Sequence, residues 1–343
     1  MTREDPTATP MTAAGPAPAQ RSIDRRQWLL ASAAAAWAAR AVVGAGASAS
    51  ASASASAFFR PARAAAASLL TRAVPSSGEA LPLVGLGSWI TFNVGTDPVA
   101  RARCTQVMGA FFADGGRMID SSPMYGSSQP VIGQALSALG RPAAVFAAEK
   151  VWIGNAARGP AQMAESLEFW GLPRFDLMQV HNLLAWQEHL PRLLQMKAAG
   201  QLRYVGITTS HGRRHEDLMG IMRSQPLDFV QLSHSLVSTE AETRLLPLAQ
   251  ERGIAVIVNR PFEQGALLRA LQGKPLPGWA AELGCDGWAQ AALKFIVSHP
   301  AVTCAIPATR QVAHVRQNLG AALGTLPDAA LRKRMAADVA RLV

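Results

Sequence analysis

Four residues of this chain are of types that together can deliver a proton to a carbonyl oxygen: Asp120, Tyr125, Lys150 and His181. Asp120 and Tyr125 stand in "RMIDSSPMYG", Lys150 in "AAEKVW" and His181 in "DLMQVHN". Taken singly, each has a plain reading. Asp120 would cap a turn, Tyr125 would be surface or core, Lys150 a solvated lysine and His181 a satisfied core histidine. But an ammonium at the end of an apolar run is costly without a partner, and Asp120 can be that partner. A tyrosine titrates near ~10 in water, and a neighbouring ammonium favours its phenolate and lowers that value. A nearby histidine can orient a carbonyl oxygen by hydrogen bonding. Side chains carry no hydride, so such a site implies a reduced nicotinamide.

These residues need elements to hold them together. Short apolar runs occur at "LPLVGLGSW" and at 117–120, 144–151, 175–181, 203–209, 228–233, 254–259 and 302–306. Helix-like segments alternate with them, at 98–114, 128–140, 159–170, 186–199, 213–224, 240–252, 286–298 and 311–323. Uninterrupted apolar runs are the mark of strands buried on both faces in a parallel sheet. Eight such units over roughly 250 residues predict a closed (β/α)8 TIM barrel of the α/β class. No GxGxxG stands between a strand and a helix, so a Rossmann domain is not expected. In such a barrel the active groups collect at the C-terminal ends of the strands. Beyond the first four residues, those ends bring Ser88, Thr208, Thr209, Gln231, Asn259, Arg260, Thr309 and Arg310.

The composition narrows the function. The chain has 343 residues, 49% hydrophobic and 16% charged, with a net charge of +10. Part of the positive excess lies in residues 1–67, and the rest is scattered with no basic run interleaved with aromatics. Nucleic acid is therefore not an expected partner. The three cysteines, Cys104, Cys285 and Cys304, have no metal-ligand spacing, so neither a zinc site nor a disulfide framework is expected.

The N-terminal part reads as a targeting segment. "SIDRRQWLLASAAAAWAARAVVGAGA" carries Arg25-Arg26, then Trp28-Leu29-Leu30 and a mild Ala-rich stretch. It resembles a twin-arginine export signal, which implies the twin-arginine machinery as a partner and a periplasmic destination, with a cytoplasmic location as the alternative. Asp24 before the pair and Arg40 inside the apolar stretch depart from that pattern. The stretch is too short and too alanine-rich for a stable membrane anchor. The expected organisation is a signal peptide at 1–45, an Ala/Ser-rich disordered linker at 46–70 and a catalytic domain at 71–343.

Together these residues resemble the aldo-keto reductases over nearly the whole chain after residue 80. "GGRMIDSSPMYGSSQPVIG" is similar to that family's Asp–Tyr signature, "AAEKVW" to its lysine segment and "DLMQVHN" to its histidine strand. "RYVGITTS", "IAVIVNRPFEQGAL" and "CAIPATRQVAHVRQNLGA" follow in the same order. The resemblance implies NADP(H) bound across the strand ends, with NAD(H) left open, and reduction of an aldehyde or ketone to an alcohol. It implies Tyr125 as general acid, Lys150 and Asp120 as its tuning pair, and His181 as carbonyl orienter. It implies Gln231 at the nicotinamide carboxamide and Ser88 near the nicotinamide ribose. Thr309 and Arg310 would face the adenosine 2′-phosphate, and Asn318 the adenine.

Several positions depart from the family pattern. Thr208-Thr209 stand where Ser-Asn is common, Asn259 where an aromatic often stacks on the nicotinamide, and Ala308 where a lysine is usual. His314 replaces a common arginine, leaving Arg310 and Arg316 for the phosphate. Arg260 could meet a pyrophosphate or an anionic substrate. The long connection "FEQGALLRALQGKPLPGWAAELGCDG" is expected to cover the cofactor, with Trp279 and Trp89 as pocket walls or packing residues. These departures keep a second reading open, a nucleotide-binding regulatory or accessory protein on the same barrel with negligible turnover. A Schiff-base mechanism on Lys150 is disfavoured, because Asp120 would keep that lysine charged.

Overall fold

Residues 68–343 are described in the computed structural model of the chain. The signal-like segment, and the Ala/Ser-rich stretch as far as residue 67, lie outside the described residues. Strands β1 (Thr71–Ala73) and β2 (Ala80–Pro82) form an antiparallel hairpin. The eight apolar runs then supply eight parallel strands. They are β3 (Leu86–Gly87), β4 (Met118–Asp120), β5 (Phe146–Val151), β6 (Leu177–Val180), β7 (Tyr204–Thr208), β8 (Phe229–Ser233), β9 (Ala255–Asn259) and β10 (Val302–Ala305). Each pairs with its neighbour in sequence. Parallel bridges Val84–Ala305 and Gly87–Ala308, with the Gly85 N–H donating to Ala305 O at 2.8 Å, join the first strand to the last. The fold is a (β/α)8 barrel.

Helices follow the strands on the outside. Pro98–Ala113 follows β3, Ser128–Ala138 follows β4, Gly159–Trp170 follows β5 and Trp186–Ala198 follows β6. His215–Ser224, Leu245–Arg252, Trp288–Ser298 and Val312–Gly320 follow β7 to β10. Local chemistry sets their starts. Asp97 caps the first of them, its Oδ1 accepting the N–H groups of Val99 and Ala100, and Pro98 supplies a fixed φ at the first helical position.

The strand period of two divides the side chains between the barrel interior and the helix layer. Met118, Phe146, Leu177, Tyr204, Phe229, Ala255 and Cys304 make an inner cluster, which the hairpin closes with Val74 and Leu81. Phe146 packs on Tyr204 and Phe229 at centroid distances of 5.8 and 6.1 Å, pairs worth ~0.5–1.5 kcal/mol each beyond their burial. Tyr204 also anchors the hairpin, its hydroxyl donating to Glu79 at 2.8 Å. Moving up each strand by two or four residues keeps the inward face and turns it polar: Asp120, Lys150, Gln179, Thr208 and Gln231. Gly206 makes room for this layer, since a Cβ there would lie 2.8 Å from Phe229 O and 3.2 Å from Gln179. Among the described residues no helix is long and apolar enough to cross a membrane.

Candidate active site

The centre of the polar layer is an ion pair. Lys150 Nζ donates to Asp120 Oδ1 at 2.5 Å and to the Ser121 carbonyl at 2.7 Å. Asp120 Oδ2 accepts from Gln231 Nε2 at 3.0 Å and from Gln179 Nε2 at 3.4 Å. Ser88 Oγ donates to the Asp120 carbonyl at 2.9 Å. Lys150 is 0% exposed and Asp120 2%. A buried pair survives only where further hydrogen bonds satisfy both charges, and Ser121 after β4, Gln179 on β6 and Gln231 on β8 supply them here. Burial alone would push the Lys150 ammonium down, but Asp120, then Tyr125 and Glu149, outweigh it and the pKa is raised. Asp120 thus favours the charged form of Lys150.

Tyr125 comes from a 3-10 turn, Pro123–Tyr125, directly after β4. Gly126 follows at φ 59°, and a Cβ there would collide with Asn93, whose Oδ1 accepts the Ser127 N–H at 2.9 Å. The loop after β3 thus clamps the turn that carries Tyr125. Lys150 Nζ lies 5.1 Å from the centre of the Tyr125 ring. The sequence reading expects the lysine to bring the phenol below its usual value. Burial dominates instead and pushes Tyr125 up to about 12, with Lys150 pulling the other way and Asp120 and Glu149 adding to the rise. Tyr125 is a phenol, with its proton in place, throughout the neutral range.

His181 follows β6 and meets Tyr125 edge to face, centroids 5.7 Å apart at 88°. Trp152, after β5, packs on its ring at 6.5 Å. Burial, reinforced by the charge of Lys150, holds His181 well below its ordinary value of 6.5, so the ring is neutral. Asn182 and Leu183 then take left-handed backbone, φ 53° and 56°. Non-glycine residues hold such conformations at a cost of about 1–3 kcal/mol, and only where the surroundings enforce them. Thr208 does so here, its hydroxyl accepting the Asn182 N–H at 2.9 Å.

The remaining predicted site residues fall into three groups. Thr209, Gln231 and Asn259 form one network: Asn259 Nδ2 donates to Thr209 O at 2.9 Å and to Gln231 Oε1 at 3.3 Å, and its Oδ1 accepts from Ser233 at 2.7 Å. Arg260, at the end of β9, has left-handed backbone (φ 52°) and a side chain 16% exposed. Its Nη2 is 3.6 Å from Glu263, while its Nε and Nη1 are buried with no hydrogen-bond partner among the described residues. Thr309, Arg310 and Asn318 lie beyond β10. Thr309 Oγ1 is 3.3 Å from His314 Nδ1 and accepts the Gln311 N–H, Asn318 is buried in its helix, and Arg310 is exposed. Arg316 pairs at the surface with Asp114.

Of the two roles left open for Trp279, packing is the one observed: it is fully buried, donates to Asp338 at 2.8 Å and packs on Trp288. The long connection after β9 carries two short helices, Ala266–Ala270 and Gly278–Glu282.

Two polar neighbours of the site escape the sequence reading. Ser122 lies 2.7 Å from His181 Nδ1. Glu149 precedes Lys150 and so faces the helix layer, where it accepts from Gln129 at 3.0 Å, Trp170 Nε1 at 2.8 Å and the Lys150 N–H at 2.8 Å. Burial pushes it up to about 7, against Lys150, Gln129 and that N–H. Its position as the neighbour of a strand-end lysine was the available signal. Among the described residues no cluster of His, Cys, Asp or Glu could hold a metal ion.

Residues 83–336 match the model of the Aldo/keto reductase family. An uncharacterized oxidoreductase of Schizosaccharomyces pombe is 28% identical over 160 residues, 46% of this chain and half of that protein's length. Pyridoxal 4-dehydrogenase of Microbacterium luteolum is 24% identical over 325 residues, 75% of this chain and 94% of its own. An aldo/keto reductase of Klebsiella pneumoniae, solved in complex with NADP and acetate, superposes with a TM-score of 0.65 at 25% identity, covering 77% of this chain and 92% of its own.

Proposed function

The chain belongs to the aldo/keto reductase family, and from that premise we propose that it reduces an aldehyde or ketone to an alcohol with NADP(H). The observation that carries this reading is the buried Lys150–Asp120 pair beneath Tyr125, with neutral His181 set edge-on to the same ring. Tyr125 O–H and one ring N–H of His181 would both donate to the carbonyl oxygen, polarising the C=O bond. As negative charge grows on that oxygen, the Tyr125 proton moves to it and completes the alcohol. A phenol near 12 is a weak acid, yet an alkoxide is a far stronger base than a phenolate, so the transfer runs downhill. Lys150 stabilises the phenolate left behind, and Asp120 keeps Lys150 charged and aimed.

The site residues fit the dinucleotide. The buried, unpartnered Nε and Nη1 of Arg260 are donors awaiting an anion, and a pyrophosphate is of that chemistry. Gln231 and Thr209 would hold the carboxamide end, Ser88 the ribose, Thr309 and Arg310 the 2′-phosphate and Asn318 the adenine. When bound, NADPH supplies the hydride to the carbonyl carbon. The test is a titration of the full chain with NADPH, followed by its oxidation in the presence of small and aromatic aldehydes. Saturable binding with carbonyl-dependent oxidation supports the reading. Saturable binding with no turnover on any carbonyl supports the accessory, nucleotide-binding role.

We further infer export to the periplasm by the twin-arginine route, supported by Arg25-Arg26 and the mild apolar stretch after them. Cell fractionation of the full chain against Arg25→Lys/Arg26→Lys tests it. An unchanged distribution contradicts it.

A further inference from the structure

Ser122 is fully buried one residue before the turn that carries Tyr125. Its hydroxyl has two neighbours. The Met124 N–H donates to Oγ at 3.2 Å, and His181 Nδ1 lies 2.7 Å from the same oxygen. A hydroxyl has one proton to give and lone pairs to receive with. Met124 uses a lone pair, so among the described residues Nδ1 is the one acceptor within reach of the serine proton. The opposite arrangement, Nδ1–H donating to Oγ, would leave the proton of this fully buried hydroxyl with no other acceptor among the described residues, which buried hydroxyls avoid. A neutral imidazole carries one ring proton. If Nδ1 accepts, that proton is on Nε2.

We propose that Ser122 is a positioning residue that fixes His181 as its Nε2–H tautomer, so that the ring presents a donor to the substrate carbonyl. The proposal's catalytic consequence rests on the reduction inferred above; the tautomer itself does not. Among the described residues His181 has no hydrogen-bond partner besides Ser122, which leaves Nε2 for a ligand. The wrong tautomer would aim a lone pair at the carbonyl oxygen and repel it. The arrangement also couples the two donors mechanically. Ser122, Pro123 and Tyr125 belong to one turn whose φ is fixed at proline, so the group that sets the histidine proton moves with the acid. The edge-to-face contact of Tyr125 and His181 closes that loop of interactions.

The experiment is the ring spectrum of His181 in the full chain with 15N-labelled histidine, its resonances identified by their loss in His181→Gln. A protonated Nε2 with an unprotonated Nδ1 in the wild-type chain, and an Nδ1–H population appearing in Ser122→Ala, is the expected result. With a carbonyl substrate, Ser122→Ala should lower kcat/KM about tenfold, the order set by one lost neutral hydrogen bond. A wild-type ring protonated on Nδ1 overturns the proposal, as does a Ser122→Ala spectrum identical to wild type. Because the wild-type spectrum needs no turnover, an Nε2–H ring in a chain that reduces nothing would sustain the tautomer assignment and sink the reductase reading alone.

Discussion

Lys150 and Asp120 meet at 2.5 Å in the barrel interior, and Gln179 and Gln231 from two further strands close on the free carboxylate oxygen. Removing one member of such a pair leaves an uncompensated buried charge, at a cost of about 3–5 kcal/mol, whereas removing both charges at constant volume is close to neutral. Lys150→Met should therefore lower stability by that amount and reduce turnover by about 100-fold or more. Asp120→Asn/Lys150→Met should recover most of the stability and none of the turnover. Urea unfolding and NADPH oxidation on the same preparations check both halves. Recovery of turnover in the double variant would contradict the role given to Lys150.

The pH profile follows from the two donors. In the proposed reduction His181 would work as a neutral ring, so its contribution would be lost only as pH falls through a value well below 6.5. Tyr125 would work as a phenol, so its contribution would be lost only as pH rises toward about 12. The expected kcat/KM for carbonyl reduction is flat between the ordinary histidine and tyrosine values, 6.5 and 10.0. An ionisation inside that window, absent from the Tyr125→Phe or His181→Gln profile, would place one of these groups in a different charge state.

Glu149 holds three donors, from Gln129, Trp170 and the Lys150 backbone, inside the helix layer. Truncating it leaves those donors unpaired at about 1–3 kcal/mol each. Glu149→Ala should cost at least about 3 kcal/mol in urea unfolding, a large share of a typical domain's stability. A loss below about 1 kcal/mol would mean the cluster relaxes or fills with water.

Arg260 offers two buried donors at the barrel mouth that have no partner among the described residues. Charge-assisted hydrogen bonds are worth about 1.5–3 kcal/mol, so Arg260→Met should weaken NADPH binding about 10- to 100-fold and flatten its salt dependence. Fluorescence titration at two ionic strengths measures it. Unchanged affinity, with a raised KM for the carbonyl, would assign the arginine to an anionic substrate.

The barrel was legible because its strands are buried on both faces and so stand out as unbroken apolar runs, such as 144–151 and 228–233. Asp120, Lys150 and His181 were legible because strand ends in this architecture converge on one mouth, which turns separate polar residues into neighbours. The hairpin of β1 and β2 was not. Its strands are three residues each and depend on the barrel floor, where Tyr204 and Arg203 reach Glu79. The C-terminal helix Ala329–Ala340 likewise depends on tertiary contacts, above all Arg332 with Glu242 and the Phe295 carbonyl. Trp279 could not be assigned from sequence because its partners, Asp338 and Trp288, lie in other elements. The direction of the Tyr125 shift needed the depth of the site: a lysine beside a tyrosine lowers its pKa only where burial does not outweigh the charge.

In the reduction proposed above, the Tyr125 phenol is the acid. Tyr125→Phe removes one oxygen and leaves the ring that packs on His181 and lies over Lys150. Carbonyl-dependent oxidation of NADPH by the full chain, wild type against Tyr125→Phe, is the most direct measurement. In Tyr125→Phe, kcat/KM should fall by about 10²–10⁴-fold with NADPH affinity retained. Equal turnover by the two proteins would contradict it.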